Sequence, residues 1–404
     1  NTIRPEFTLD DDGTFTSFDI VQSAPDEVAS SNTLRPHRLA IGCYDERNGA
    51  LERVRRIELD VAGARTPVPD LVGTKQPALL LANDDDLTYC KLRLDPRSLQ
   101  TLRDGGIARL SDSLPRALAW SAAWDMTRDG ELPTRDYVAL VVAGARHEPD
   151  IGVMQSLVRQ AIRAVEIYAD PSWSSTGYRM LAEAAVSALE GAAPGSDQQL
   201  AWLHALLAAD VASEHIDLAQ GLLDGSRELD GLCVDDDLRW SIVMALVAAG
   251  RAGEAAIAAE LDRDPSAAGQ RHAATARALL PTPEAKADAW QRTVHDEDLP
   301  NAMQRAIIGG FAHRRQGELV APYARKYFDD VQGVWDRRSS ELAQNVVLGL
   351  FPSWSSTITS QTLAEADEFL ANDAVPSALR RLVSEGRADV ARALRAREAD
   401  TAAD

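Results

Sequence analysis

The sequence predicts a mainly α protein in two parts: a small N-terminal β-sandwich followed by a large α-helical superhelix, an α-solenoid of the HEAT or armadillo kind. Apolar residues alternate with a period of two from residue 1 to about 95. A helical period replaces this after Asp95-Pro96 and holds to the end, with short connections of Gly, Asp, Ser and Pro between segments. The division is therefore drawn as residues 1–95 for the β-sandwich domain and residues 96–404 for an all-helical domain.

Within the first part, Phe18 and Ile20 alternate with Asp19 and Val21, Leu39, Ile41 and Cys43 with Arg38, Ala40 and Gly42, and Ile57, Leu59 and Val61 with Arg56, Glu58 and Asp60. Each apolar set falls on one face of a strand. Asp12-Gly13 and Asn48-Gly49 lie between such runs and read as hairpin turns, where positive φ is required. Leu79 to Leu81 and Leu87 to Leu94 add two strands around Asn83-Asp84-Asp85-Asp86. Several short strands separated by turn signals make a sandwich.

In the second part, Leu114, Leu118, Ala122 and Met126 share one helix face, and Pro115 and Pro133 suit first-turn positions. Helices are expected over 151–168, 178–190, 198–211, 237–249, 254–261, 267–280 and 283–294, and then over 300–311, 318–328, 339–350, 362–370 and 376–396. No strict repeat is visible, so the superhelix is expected to be irregular. The hexapeptide Pro-Ser-Trp-Ser-Ser-Thr occurs at Pro171 to Thr176 and again at Pro352 to Thr357, and both copies read as helix-initiating loops.

With 404 residues, 45% of them hydrophobic, the chain exceeds what one core usually serves. No stretch reaches the roughly 18 apolar residues of a membrane span, and Asn1 to Asp10 has no leader pattern, so no membrane partner is expected. The chain opens on Asn rather than Met and moves at once into strand-like text, which reads as a segment of a longer polypeptide. Cys43, Cys90 and Cys233 form no C-x-x-C pair, and their odd number points to a reducing, cytoplasmic setting. A net charge of −20 opposes binding to phosphate backbones, so no nucleic acid partner is expected.

Hydrolytic zinc chemistry on a helix needs two His one turn apart with a Glu beside the first. None of the seven His, at 37, 147, 204, 215, 272, 295 and 313, has a partner four residues away. His147-Glu148 comes nearest, but position 151 is Ile, and the stretch reads as a solvated loop before a helix. The Asp triplets at 10–12 and 84–86 read as turns and that at 235–237 as a helix N-terminus, because an EF-hand alternates its carboxylates. No nucleophile elbow, phosphate loop or dinucleotide fingerprint occurs. Arg53-Val54-Arg55-Arg56 and Arg380-Arg381 read as solvated faces. His313-Arg314-Arg315 reads as a loop, with an anion-facing patch in a cavity as the alternative. The residues thus supply no catalytic group and no metal site.

The run Gln76-Pro77-Ala78-Leu79-Leu80-Leu81-Ala82-Asn83-Asp84-Asp85-Asp86-Leu87-Thr88-Tyr89-Cys90-Lys91-Leu92-Arg93-Leu94-Asp95 resembles the end of the β-sandwich in bacterial members of the aminopeptidase N family. Ser113-Leu114-Pro115-Arg116-Ala117-Leu118-Ala119-Trp120 and Trp124-Asp125-Met126 resemble the start of the helical domain in actinobacterial members. Pro322-Tyr323-Ala324-Arg325-Lys326-Tyr327-Phe328 and Gly349-Leu350-Phe351-Pro352 are similar to the family's last helices.

The resemblance implies the last two of four domains of a zinc metallopeptidase. Its H-E-x-x-H and G-A-M-E-N motifs are absent, so no catalytic residue carries over and no cofactor is expected in this chain, zinc belonging to the missing catalytic domain. It further implies a region inactive alone that encloses the active-site cavity and helps select peptides, with the catalytic domain of the same polypeptide and peptide substrates as partners. Arg305, Phe311, Arg314 and Arg315 are the candidate cavity residues, since Arg can bind a peptide carboxylate. The competing expectation is a helical-solenoid interaction scaffold with no peptidase activity.

Overall fold

The computed structural model describes residues 1–24, 33–209 and 213–403. It divides the chain into two compact units, Asn1–Ala164 with Glu398–Asp404 and Val165–Arg397. The fold is mainly helical with a small N-terminal β region, as the sequence predicts.

The first unit opens with β1 (Thr2–Leu9), β2 (Phe15–Ser23), β3 (His37–Arg47), β4 (Ala50–Val61), β5 (Arg65–Pro67), β6 (Leu79–Ala82) and β7 (Lys91–Leu92). They form one sheet in the order β5-β2-β1-β7 and another in the order β4-β3-β6. Asn48 and Gly49, at φ 51° and 81°, make the β3–β4 turn, and the Asp10 carboxylate accepts from the N–H groups of Asp12 and Thr14 to shape the β1–β2 turn.

Leu39, Ala40 and Ile41 of β3 are all fully buried. The helix Pro96–Thr101 is tied to the neighbouring strand, where Ser98 Oγ accepts from Leu80 N–H at 2.8 Å and Thr101 Oγ1 donates to Ala78 O at 2.6 Å. A strand covered on both faces loses strict alternation, which explains the continuous run Leu79–Leu80–Leu81.

The stretch expected as a strand over 87–94 pairs only at Lys91–Leu92, parallel to β1. Asn83 and Asp86 take φ of 58° and 52°. The Asn83 amide donates to Thr88 O and its Oδ1 accepts from Thr88 N–H, folding residues 83–88 into a turn. In the Arg53-Val54-Arg55-Arg56 string the three arginines are exposed, as expected of a solvated face, and two of them are paired there. Arg53 pairs with Asp84 and Asp85 at 2.7 Å each, Arg56 pairs with Asp85 and Glu58, and Tyr44 OH donates to the buried Asp84 at 2.6 Å.

Helix Ser113–Arg128 turns only half of the expected face inward. Ala122 and Met126 are buried, as are Pro115, Ala119, Trp120 and Ala123, while Leu118 is half-buried and Leu114 is exposed. Glu148, expected in a solvated loop, is buried and pairs with Arg116.

In the second unit, alternate helices pack on one another. Trp240, Val243 and Val247 of helix Asp236–Ala248 share a core with Ala273 and Ala276 of helix Ala267–Leu279, and with Ile257 of the intervening Glu254–Arg263. Thr275 Oγ1 then donates to Ala306 O of helix Asn301–Phe311 at 2.9 Å. The Asn345 amide of helix Ser340–Gly349 reaches Gln304 Oε1, again at 2.9 Å. Asp235 caps helix Asp236–Ala248, as its triplet predicts. Of the helix expected over 198–211, Asp197–Ala209 is found, and its last two residues lie outside the described ones. Helix Ser213–Asp224 adds to the predicted set.

This row also meets its own beginning. Buried Arg397 donates to the carbonyls of Ile167, Ser355 and Ile358 at 2.9, 3.1 and 3.4 Å, joining the stretch before the first hexapeptide copy to the second copy. The first copy runs into helix Ser174–Gly191, which begins at its fourth residue, and the second precedes helix Ser360–Leu370.

Candidate functional site

Two short helical faces build one cavity of the second unit. Pro283, Ala287, Trp290 and Gln291 line one side from helix Pro283–Trp290 and the turn after it. Leu319, Pro322, Tyr323 and Lys326 line the other, on and before helix Tyr323–Arg337. Residues three and four apart share a helix face, so these spacings aim both sets into one space of about 500 Å³. His295 and Glu318 complete its polar edge.

Asp330 organises that edge. It accepts from Trp290 Nε1 and from Lys326 Nζ, each at 2.9 Å, and lies 3.7 Å from His295 Nε2. Lys326 Nζ also stands 5.8 Å from the Trp290 ring centre. The indole is thereby fixed by a hydrogen bond on its rim and a cation on its face. The result is a mostly apolar recess with aromatic walls and a few oriented polar groups, a form suited to an apolar side chain or small apolar ligand.

The four residues expected at the cavity take different places. Phe311 is buried behind the wall rather than in it, with ring centres 5.7 Å from Trp290, 5.1 Å from Tyr323 and 5.4 Å from Trp354. Arg314 lays its guanidinium over the Tyr178 ring at 4.2 Å, while Arg305 and Arg315 are exposed on the surface. None of the four is among the residues that line this recess.

His313 beside them is half-buried. Burial, reinforced by Arg314, Arg315 and Lys286, pushes its pKa down to about 3, so the imidazole is neutral near pH 7. Trp290 and Tyr323 escaped the sequence reading as site residues. Tyr323 and Lys326 stand in the string that carries the family resemblance, and the apolar spacing of both segments was the signal that could have found them.

Among the described residues no three His, Cys, Asp or Glu side chains gather as metal ligands. The Glu148 carboxylate is committed to Arg116, and His147 is exposed with its Nε2 accepting from Arg146 Nε at 3.0 Å. The donor set for zinc does not exist in these residues, and no step through a metal can be derived for them. Among the same residues, no helix is long and apolar enough to cross a membrane.

A family model described as the ERAP1-like C-terminal domain matches residues 79–392. The chain is also 50% identical, over its whole length, to a protein called Aminopeptidase N from Streptomyces lividans, of which it spans 47%. It covers about half the length of that relative. The match takes in the end of the β region, the aromatic-walled cavity and nearly all of the helical row, and on this ground the chain belongs to the ERAP1-like C-terminal domain family of the aminopeptidase N proteins.

Proposed function

We propose that this chain is the non-catalytic C-terminal region of a zinc aminopeptidase that removes N-terminal residues from peptides. It encloses the active-site cavity, helps select peptides, and is inactive alone. The zinc and the groups that activate water belong to the catalytic domain of the same polypeptide, which is this region's first partner, with peptides as the second. The reading includes a cytoplasmic setting and a division into a β-sandwich domain over residues 1–95 and an irregular HEAT-like superhelix over residues 96–404.

The observation that carries it is the way the helical row of the second unit returns on itself. Arg397 binds Ile167 and Ser355 together, and Arg314 stacks on Tyr178. A row of packed helix pairs that curls enough for its two ends to touch has an inner surface, and such a surface suits enclosure better than display. The relative's name supports the peptidase assignment, and its greater length leaves room for a catalytic domain. Arg305, Phe311, Arg314 and Arg315 remain the proposed cavity residues for a peptide, with Trp290 and Tyr323 added as an apolar subsite.

The test is enzymatic. The chain incubated with zinc and alanyl or leucyl chromogenic substrates is expected to give no turnover. Mixed with a separately produced catalytic half from the same polypeptide, it is expected to bind that half and change its preference among peptides. Robust, chelator-sensitive turnover by the chain alone overturns the proposal, as does a catalytic half indifferent to its presence.

A further inference from the structure

Lys286 is one of only four lysines in the chain and is 0% exposed. It sits four residues into the sequence Thr282-Pro283-Glu284-Ala285-Lys286, on the inward face of its helix with Ala289 and Trp290. Its Nζ donates to Ala278 O at 2.6 Å, while the amide of buried Gln316 donates to Leu279 O, also at 2.6 Å. Two side chains from two later segments thus close the open carbonyl end of helix Ala267–Leu279. The Phe311 ring lies 6.0 Å from the same Nζ, and Phe311 in turn backs Trp290 and Tyr323.

No carboxylate reaches this ammonium among the described residues. The segment after Phe311 presents His313, Arg314 and Arg315, which add positive charge or none. On helix Ala267–Leu279, His272 faces Asp237 and Arg277 pairs with Glu254, while Arg271 is exposed. Arg305 of the next helix and Glu318 beyond it are exposed, as are Glu284 and Asp288 on the helix of Lys286 itself. In the turn that follows, Arg292 leans toward Asp288 and His295 toward Asp330. Only the partial negative charge of a helix C-terminus and an aromatic face answer the lysine.

We propose that Lys286 is a protonation-controlled cap, so that the helical packing behind the aromatic cavity is weaker while this lysine carries its proton and tightens when it loses it. The physical reason is desolvation: an ammonium costs far more to bury than an amine, whereas the amine still donates to Ala278 O. Burial pushes the pKa of Lys286 down to about 8 from the ordinary 10.5. The folded chain therefore releases this proton more readily than the unfolded chain does. Unfolding takes a proton up between these two values, and stability rises with pH across that window. The inference holds whatever peptide or partner the region serves.

Because the lysines number four, Lys75, Lys91, Lys286 and Lys326, a chain labelled at lysine Cε gives four signals that can be followed individually by NMR. The signal absent from Lys286→Met is expected to titrate near pH 8. In urea unfolding, raising the pH from about 7 to about 9.5 is expected to lower the unfolded-to-folded ratio of the wild type roughly thirtyfold more than that of Lys286→Met. A Lys286 signal that titrates above about pH 10, or equal pH responses of the two proteins, overturns the proposal. Should Lys286→Met fail to fold, assignment through Lys75→Arg, Lys91→Arg and Lys326→Arg leaves the wild-type titration to decide alone.

Discussion

Arg116 and Glu148 face each other as a buried, two-pronged ion pair, with Nε–Oε2 at 2.9 Å and Nη2–Oε1 at 3.2 Å. Trp120 Nε1 also points to Glu148 Oε2, at 3.4 Å, and Arg116 Nη1 donates to Leu110 O. The glutamate of the only His-Glu dipeptide that could be mistaken for half a zinc motif is thus a structural anchor for helix Ser113–Arg128. Removing it strands a buried guanidinium. Glu148→Ala is expected to cost about 3–5 kcal/mol in urea unfolding, whereas the double replacement Arg116→Met with Glu148→Leu is expected to recover most of that loss. Equal losses in the single and double variants would show that the shape of the side chains matters rather than their charge.

Asp129 offers the acid-side counterpart. It follows the same helix and accepts from Lys91 Nζ at 2.7 Å and from Arg93 Nη2 at 2.6 Å, holding β7 to the helix end. Burial by itself raises its pKa, but the hydrogen bonds and charges of Lys91 and Arg93 outweigh it, and the carboxyl is held below the ordinary aspartate value. A depressed folded pKa stabilises above the unfolded value and is lost as pH falls through the folded one. Asp129→Asn is expected to lower stability by about 1–3 kcal/mol near pH 7, with the deficit closing below about pH 4. Unfolding midpoints measured at both pH values check this, and a deficit constant with pH refutes the electrostatic account.

Much of the fold could be read because local signals agreed with each other. Asn48-Gly49 needed positive φ and has it, and Asp235 caps the helix that its triplet announced. Where the reading failed, a long-range partner had overruled a local pattern. Glu148 is polar and lies between helices, yet Arg116, 32 positions earlier, draws it inside. Leu114 has the right period for a core face, but Arg116 and Trp120 on the neighbouring face are the ones with partners to meet. The cavity was least legible of all. The walls of the aromatic recess come from Trp290 and Tyr323, 33 positions apart, whose meeting depends on how the helices stack.

The return contact of the helical row makes its own prediction. Arg397 is buried, and burial lowers its pKa to about 10, so it remains charged near pH 7 while serving the carbonyls of Ile167, Ser355 and Ile358. Arg397→Met keeps the apolar stem but leaves those acceptors without their donor, each costing about 1–3 kcal/mol when buried. Faster amide exchange is expected around Ile167 and Ile358, with little change in the core of Trp240, Val247 and Ile257. Uniform acceleration across the helical unit would mean that the contact supports the fold as a whole rather than its closure.

Two adjacent glycines in helix Asn301–Phe311 separate helix propensity from helix packing. A Cβ at Gly309 would meet nothing within 4 Å, so the position uses neither the small size nor the flexibility of glycine. Gly309→Ala is expected to stabilise by about 0.5–1 kcal/mol, the ordinary difference in helix preference. At Gly310 the same methyl would stand 2.2 Å from Thr275 O and 3.0 Å from the Ala278 methyl group, both on the neighbouring helix Ala267–Leu279. Backbone cannot yield as a side-chain tip does. The two helices would have to part, straining the Thr275 Oγ1 bond to Ala306 O and shifting Phe311, which follows Gly310 directly. Gly310→Ala is accordingly expected to destabilise by about 1–3 kcal/mol despite its better propensity. Thermal unfolding of the two variants side by side decides the matter, because opposite signs require close packing of the helices at this crossing and a shared sign rules it out.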